Sequence, residues 1–300
     1  MNGQAQTGQL STRTLSRVVR GVAATDGAGV ELTRVIGQPA LSLLDPFLLL
    51  DVFRSDQPDE YLAGFPAHPH RGFETVTYLL AGRMRHKDNA GNEGVIEAGG
   101  IQWMTAGRGI VHAEMPEQEQ GLLEGFQLWV NLPAAHKMDA PAYQEHPANA
   151  IPTESRAQGA VVRVIAGQTS TGTLGPIAQP LTDPLYLDVE LPPGTGFQEN
   201  LPHDHNAFVY VFRGTLDAED ANANPVRLHA GELGILSHGE RLTLRSAAAG
   251  ARFLLIAGRP LNEPVARGGP FVMNTRAEVR QAFADYEIDG EIDGVRLDCE

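Results

Sequence analysis

The sequence lacks the features that an intrachain disulfide, a membrane span or nucleic-acid binding would require. It contains one cysteine among 300 residues, Cys299, so no disulfide can form within the chain and a reducing compartment is favoured. Its longest apolar runs, such as residues 47–50 and 253–257, fall far short of the roughly 20 residues of a membrane helix. The 37 acidic residues outnumber the 23 lysines and arginines, and the net charge of −14 disfavours direct contact with nucleic acid or anionic membranes. We therefore expect a cytoplasmic protein that binds neither nucleic acid nor membranes directly.

Turn-forming residues are abundant and separate short segments of strand character. The chain has 33 glycines and 20 prolines, and residues 126–132 and 185–191 alternate apolar with other side chains, as half-buried strands do. Thr275 and Glu278 form a capping box ahead of apolar residues at helical spacing. The sequence therefore predicts an all-β fold with one short helix near its C-terminus.

An internal repeat predicts two domains. Residues 78–82 (YLLAG) resemble residues 210–214 (YVFRG), and the Ala-Gly pair at 98–99 recurs at 230–231, with the same offset of 132 residues in both cases. We predict two tandem β-barrels or sandwiches, spanning residues 13–140 and 159–290, with a boundary in the intervening Pro- and Ala-rich stretch.

Two short motifs carry the strongest chemical signal. His68 and His70 are separated by one residue, as are His112 and Glu114. Alternate residues of a strand project from one face about 6 to 7 Å apart, so each pair can chelate one ion. A single such pair is more often structural, but two joined by a hairpin favour a metal site. Three imidazoles and a carboxylate suit a divalent first-row metal and leave two octahedral positions open.

The sequence around these motifs closely resembles the pirin family of the cupin superfamily. The resemblance extends over nearly the whole chain, from about residue 13 to residue 290. Its most specific segments are residues 65–76, 102–116, 128–133, 205–211 and 269–275.

The resemblance implies a bicupin, with one metal site in the N-terminal barrel and a metal-free C-terminal barrel. The ligand positions of the family fall on His68, His70, His112 and Glu114. One divalent ion is expected per chain, with iron(II) favoured over other first-row metals. Many other cupins take a ligand from a Glu four residues after the second His, where this chain has Glu74; we expect Glu74 to orient a ligand or a water instead.

A second motif, His203-Asp204-His205, imitates the first in the C-terminal half. At the repeat offset the four ligand positions become other residues, which supports a single metal site. These residues are Asn200, Pro202, Leu244 and Ser246.

The resemblance also implies a function. Pirins are associated with quercetin 2,3-dioxygenase activity, whose reactants are a flavonol and dioxygen, and Glu114 is the candidate base for the flavonol hydroxyl. The alternative is a non-enzymatic, metal-dependent regulator that binds a protein partner. Arg108 is interpreted either as an anion-binding residue or as a loop-fixing one, and His86 and His136 as surface or turn residues. Trp103 and Met104 are interpreted as core rather than pocket residues.

Overall fold

The computed structural model describes residues 10–288, so Cys299 lies outside the described residues. The chain divides into two compact units. Residues 21–151, 176–183 and 260–288 form what we call the N-terminal barrel. Residues 10–20, 152–175 and 184–259 form the C-terminal barrel. Each unit thus draws on separate stretches of chain, whereas the predicted limits 13–140 and 159–290 are continuous; as sequence domains those limits stay a prediction.

Strands dominate the described residues, as predicted, and a single α-helix, α1 (Arg276–Ile288), follows them. Short 3₁₀ turns lie at residues 58–60, 134–136, 148–150 and 157–159. The strands are β1 (Thr12–Arg13), β2 (Leu15–Arg20), β3 (Val22–Asp26), β4 (Val30–Ile36), β5 (Phe47–Ser55), β6 (Phe65–His70), β7 (Phe73–Ala81), β8 (Arg83–Asp88), β9 (Glu93–Glu97), β10 (Ile101–Thr105), β11 (Ile110–Pro116), β12 (Leu123–Asn131), β13 (Ala142–His146), β14 (Thr153–Ser155), β15 (Val161–Ala166), β16 (Leu185–Leu191), β17 (Gly196–Asn200), β18 (Asn206–Glu219), β19 (Pro225–His229), β20 (Glu232–Leu236), β21 (Arg241–Gly258), β22 (Ala266–Gly268) and β23 (Phe271–Met273).

The N-terminal barrel is built from two antiparallel sheets. One has seven strands in the order β13-β10-β7-β12-β5-β4-β3, and the other has four in the order β6-β11-β8-β9. The central strands β7 and β12 are buried along most of their length, because one side faces the barrel interior and the other is covered by further parts of the fold. The hairpin β22–β23 and helix α1 complete this unit.

The C-terminal barrel is one sheet of ten strands, in which β14-β15-β16-β21-β18-β20-β2 form the main path. Its long strands β18 and β21 each pair with several neighbours, and strand β2, from the start of the chain, closes one edge against β20. The interior holds a large apolar cluster that includes Phe197, Val209, Leu244 and Leu255.

The predicted repeat appears in the strand pairing of the two units. Tyr78 of β7 pairs with Ile101 of β10, and Tyr210 of β18 pairs with Leu233 of β20. Both partners are offset by the same 132 residues. The all-β bicupin architecture with a short C-terminal helix is therefore confirmed.

The capping box predicted from the sequence begins helix α1. The backbone N–H of Thr275 donates to the Glu278 carboxylate at 2.7 Å, and the N–H of Glu278 donates to the Thr275 hydroxyl at 3.2 Å. Phe283 and Tyr286 then pack on Phe271, with ring centroids 4.8 and 5.1 Å away. Within residues 10–288, this helix and the shorter turns lack the length and apolar character needed to cross a membrane.

Candidate metal centre

Strands β6 and β11 bring the two predicted ligand pairs together. The strands are antiparallel neighbours in which His112 lies directly opposite His68 and Ile110 opposite His70. The register shifts between His112 and Glu114, which marks a bulge at the end of this pairing. The strand geometry that the spacing predicted is thus present.

Three histidines form a compact cluster at this pairing. One ring nitrogen from each of His68, His70 and His112 lies within 4.8 Å of the others, and the ring centroids are 4.5 to 5.0 Å apart. His70 and His112 are 2% and 1% exposed. Buried imidazoles crowded this closely need a shared partner to offset the loss of water.

The protonation state of these rings fits metal binding. Desolvation lowers the pKa of His112 to about 4 and holds that of His70 well below its usual value, so both are neutral near pH 7. The buried ring nitrogens of His70 and His112 make no well-formed hydrogen bond within residues 10–288. The Pro270 backbone raises the pKa of His70, but by less than burial lowers it. His68 Nδ1 lies 2.8 Å from the Pro66 carbonyl oxygen, which can only accept a hydrogen bond. The ring proton of His68 therefore resides on Nδ1, and Nε2 offers a lone pair.

Glu114 lies beside this cluster but outside the 4.8 Å group of ligand atoms. Its side chain is 1% exposed, and its two carboxylate oxygens accept hydrogen bonds from Thr77 Oγ1 at 2.9 Å and Gln127 Nε2 at 3.2 Å. These donors orient the carboxylate. The assignment of Glu114 as fourth ligand and base stays a prediction.

A cleft of about 590 Å³ opens at the cluster, and Glu114 lies in its lining. Leu32, Leu49, Phe53 and Phe65 contribute apolar walls, and Trp129 lies edge-on to His70 at 5.2 Å between centroids. A planar aromatic molecule suits such walls. Further polar lining residues are Asp26, Arg34, Asp51, Gln127 and Arg267.

The turn after His70 is fixed by a buried lysine. Gly72 has φ +88°, and a Cβ there would meet the Val272 carbonyl at 2.0 Å, so glycine is required. Lys137 Nζ donates to the carbonyls of Gly72 and Val272 and to Asn131 Oδ1, at 2.6 to 3.0 Å. This lysine joins the turn to strand β23.

Helix α1 supports the same turn from the other side. Arg71 forms an ion pair with Asp285 at 2.5 Å and donates to the Arg108 carbonyl at 2.6 Å. The Tyr286 hydroxyl makes a long hydrogen bond to the His70 carbonyl at 3.5 Å. The backbone that carries His70 is therefore held by contacts far away in sequence.

The expectation that Glu74 orients a ligand is wrong, because its carboxylate bonds to none of the candidate ligands; the alternative that it orients a water stays a prediction. Its carboxylate accepts from Thr105 Oγ1 and from Gln179 Nε2, each at 2.7 Å, and burial raises its pKa. Because side chains alternate along β7, Glu74 lies on the opposite face from Thr77, which contacts Glu114. It secures the segment around Gln179 instead.

The interpretation of His86 as a surface or turn residue is also wrong. It is 5% exposed, bonds to the Glu145 carboxylate at 2.7 Å and stacks on Tyr143. It pairs in register with Glu114, so it lies next to the candidate centre. The alternation of Met84, His86 and Asp88 with charged residues along β8 was the signal for its burial.

The remaining expectations concern isolated residues. His136 lies in a turn and pairs with Asp139 at 2.7 Å. Arg108 is exposed and does not line the cleft; its backbone, rather than its guanidinium, fixes the loop. Trp103 and Met104 are fully buried core residues.

The second histidine motif occupies a turn before β18. His203 is exposed, His205 is buried, and the guanidinium of Arg13 donates to the carbonyls of Pro202 and His203. The nearest ring partner found for His203 is His238, at 6.1 Å. These residues serve the turn, and a metal-free C-terminal barrel stays a prediction.

Comparisons with known proteins agree with this architecture. The Pirin family model matches residues 29–130 and the Pirin C-terminal cupin domain matches residues 186–290. A pirin-like protein of Caulobacter vibrioides is 52% identical over 282 residues, covering 93% of this chain and 99% of that protein. Human Pirin is 42% identical over 264 residues, covering 87% and 88%. The crystal structure of a quercetin 2,3-dioxygenase from Acinetobacter baumannii superposes with a TM-score of 0.84 at 34% identity, covering 93% of this chain and 98% of that one.

Two cupin barrels in one chain, with clustered histidines in the first, define the protein as a bicupin. Within that class, the chain belongs to the pirin family.

Proposed function

We propose that this pirin is a metal-dependent dioxygenase of the quercetin 2,3-dioxygenase type that acts on flavonol-like substrates. The observation that carries the proposal is the cluster of three imidazoles beside the buried Glu114 at an aromatic-walled cleft. The similarity to the Acinetobacter baumannii quercetin 2,3-dioxygenase supports it. The reactants would be a small molecule and dioxygen, and the cytoplasm is the proposed location.

The donor set fits one divalent first-row metal, with iron(II) favoured. His68, His70 and His112 would supply neutral nitrogen ligands and Glu114 an oxygen ligand. A bound divalent ion would act as a Lewis acid that lowers the pKa of a coordinated hydroxyl and leaves positions open for substrate.

The protein's own groups then have separate tasks. Glu114 accepts the proton of the flavonol hydroxyl, while the donors Thr77 and Gln127 keep its carboxylate aimed at the cleft. Trp129 and Phe65 face the substrate rings and exclude water from the reacting end.

The test combines metal analysis with turnover. Protein loaded with graded amounts of iron(II) should consume flavonol and dioxygen in proportion to bound metal, followed by flavonol absorbance and an oxygen electrode. A fully loaded protein that binds flavonol without consuming oxygen would contradict the enzymatic proposal and favour the regulatory, protein-binding alternative.

A further inference from the structure

Arg267 lies in the wall of the cleft, although no motif in the sequence indicates a role for it. It belongs to β22, whose pairing with β23 places it near the histidine cluster. Its guanidinium carbon lies 4.7 Å over the ring of Trp129, and Trp129 in turn contacts His70. Its charge is close enough to lower the pKa of His70.

The donors of Arg267 are largely unused, unlike those of its neighbour Arg34. Arg34 makes a bidentate pair with Asp51 at 2.7 and 2.9 Å and a further contact with Asp26 at 2.6 Å. Arg267 makes one long hydrogen bond, at 3.5 Å, to the Leu48 carbonyl. Within residues 10–288 it has no carboxylate at ion-pair distance. Its side chain remains accessible to solvent, and the protein packed around part of it lowers its pKa by desolvation.

The charges facing the cleft indicate which ligand would balance them. Three carboxylates, Asp26, Asp51 and Glu114, face the two guanidinium groups of Arg34 and Arg267. With a divalent ion bound to neutral histidines, the cleft would carry one net positive charge. Arg267 contributes one unit of positive charge to the cleft wherever the substrate proton goes, so a singly ionised substrate is held more weakly without it.

We propose that Arg267 is a specificity-determining residue that selects the singly ionised form of a planar hydroxy-ketone, and this inference rests on the proposed function. One face of the guanidinium remains stacked on Trp129, and its free N–H groups donate to an anionic oxygen of the substrate. The planar, rigid fork of arginine suits both contacts. Neutral aromatic molecules of the same shape gain nothing from it.

The test measures binding without turnover. Protein loaded with Zn²⁺, which does not change oxidation state, is titrated under argon with 3-hydroxyflavone and with flavone, the same skeleton lacking the ionisable hydroxyl. Arg267→Gln should weaken 3-hydroxyflavone binding about tenfold and raise the pKa of the bound hydroxyl by about one unit, read from its absorbance. Flavone affinity should stay within about twofold, because no charge is involved.

Two variants serve as controls. Arg267→Lys keeps the charge and should recover part of the preference, while Arg108→Gln, on an exposed side chain away from the cleft, should leave both affinities unchanged. An equal loss for both ligands, or no loss for either, in Arg267→Gln would overturn the inference. Wild-type binding of the flavonolate without oxygen consumption by the iron form would overturn only the dioxygenase proposal, and absence of flavonol binding would overturn both.

Discussion

Two interior strand positions that are polar in the N-terminal barrel are apolar at the matched positions of the C-terminal barrel. Thr77 of β7 pairs with Gln127 of β12, and both donate to Glu114. At the repeat offset Thr77 corresponds to Val209, which pairs with Leu255 in the apolar core of the other unit. The two barrels therefore share a framework but differ in what fills them.

Of the three clustered histidines, His112 shows the same difference. His112 corresponds to Leu244 at the repeat offset, and Leu244 pairs with Phe197 of β17 inside the C-terminal barrel. An apolar interior gains stability from burial, whereas buried imidazoles without hydrogen-bond partners cost stability. The N-terminal barrel thus gives up stability at the positions where we propose a metal to bind.

The largest expected effect is loss of the metal. His70→Ala or His112→Ala should abolish stoichiometric metal binding while the fold survives, because each removes one of three clustered ligands. Plasma emission on purified protein measures it. His203→Ala in the C-terminal barrel is the control and should retain one equivalent. Undiminished metal in either ligand variant, or a second tightly held equivalent lost in His205→Ala, would contradict a single site.

The next largest effect is a difference in turnover between variants of two buried carboxylates, Glu114 and Glu74. Glu114→Gln should reduce flavonol turnover by about 10² to 10⁴-fold, as expected for loss of a proton acceptor. Glu74→Gln should change turnover less than about threefold, because its carboxylate bonds to Thr105 and Gln179 on the face of β7 opposite Thr77. Steady-state oxygen consumption compares them. The opposite ranking would indicate the more general cupin ligand set.

Much of this site could be predicted from the sequence because strand alternation is local. One-residue spacing within His68/His70 and His112/Glu114 sufficed to place each pair on one face. Spacing does not tell which face of β7 meets Glu114 and which packs against residues 176–183, so the expectation that Glu74 orients a ligand was wrong. Arg267 and Lys137 act on residues far away in the chain, and no spacing rule reports such contacts.

Exchanging the matched interior positions should move stability in opposite directions. Leu244→His should destabilise the C-terminal barrel by about 3 kcal/mol, since it buries a polar ring among apolar side chains. His112→Leu should stabilise the metal-free N-terminal barrel by about 1 kcal/mol, since it removes an unpartnered buried ring. Urea denaturation followed by circular dichroism tests the first variant. Equal destabilisation by both would show that the two interiors do not differ in this respect.

A further expected effect is a pH dependence of the stability of the N-terminal barrel. Desolvation lowers the pKa of His112 from 6.5 to about 4 in the folded, metal-free protein. Between these values the unfolded chain binds a proton that the folded chain does not, so the free energy of unfolding falls with falling pH, by up to about 1.4 kcal/mol per unit. The lowered pKa of His70 acts in the same direction, and the raised pKa values of Glu74 and Asp51 act against it.

Comparing wild type with His112→Leu cancels these other groups and isolates His112. Both tryptophans, Trp103 and Trp129, belong to the N-terminal barrel, so urea denaturation followed by their fluorescence reports on this unit. The difference between the two proteins should grow in favour of His112→Leu as pH falls from 6.5 to about 4, and level off below it. A difference that stays constant over this range would mean that folding does not shift the pKa of His112.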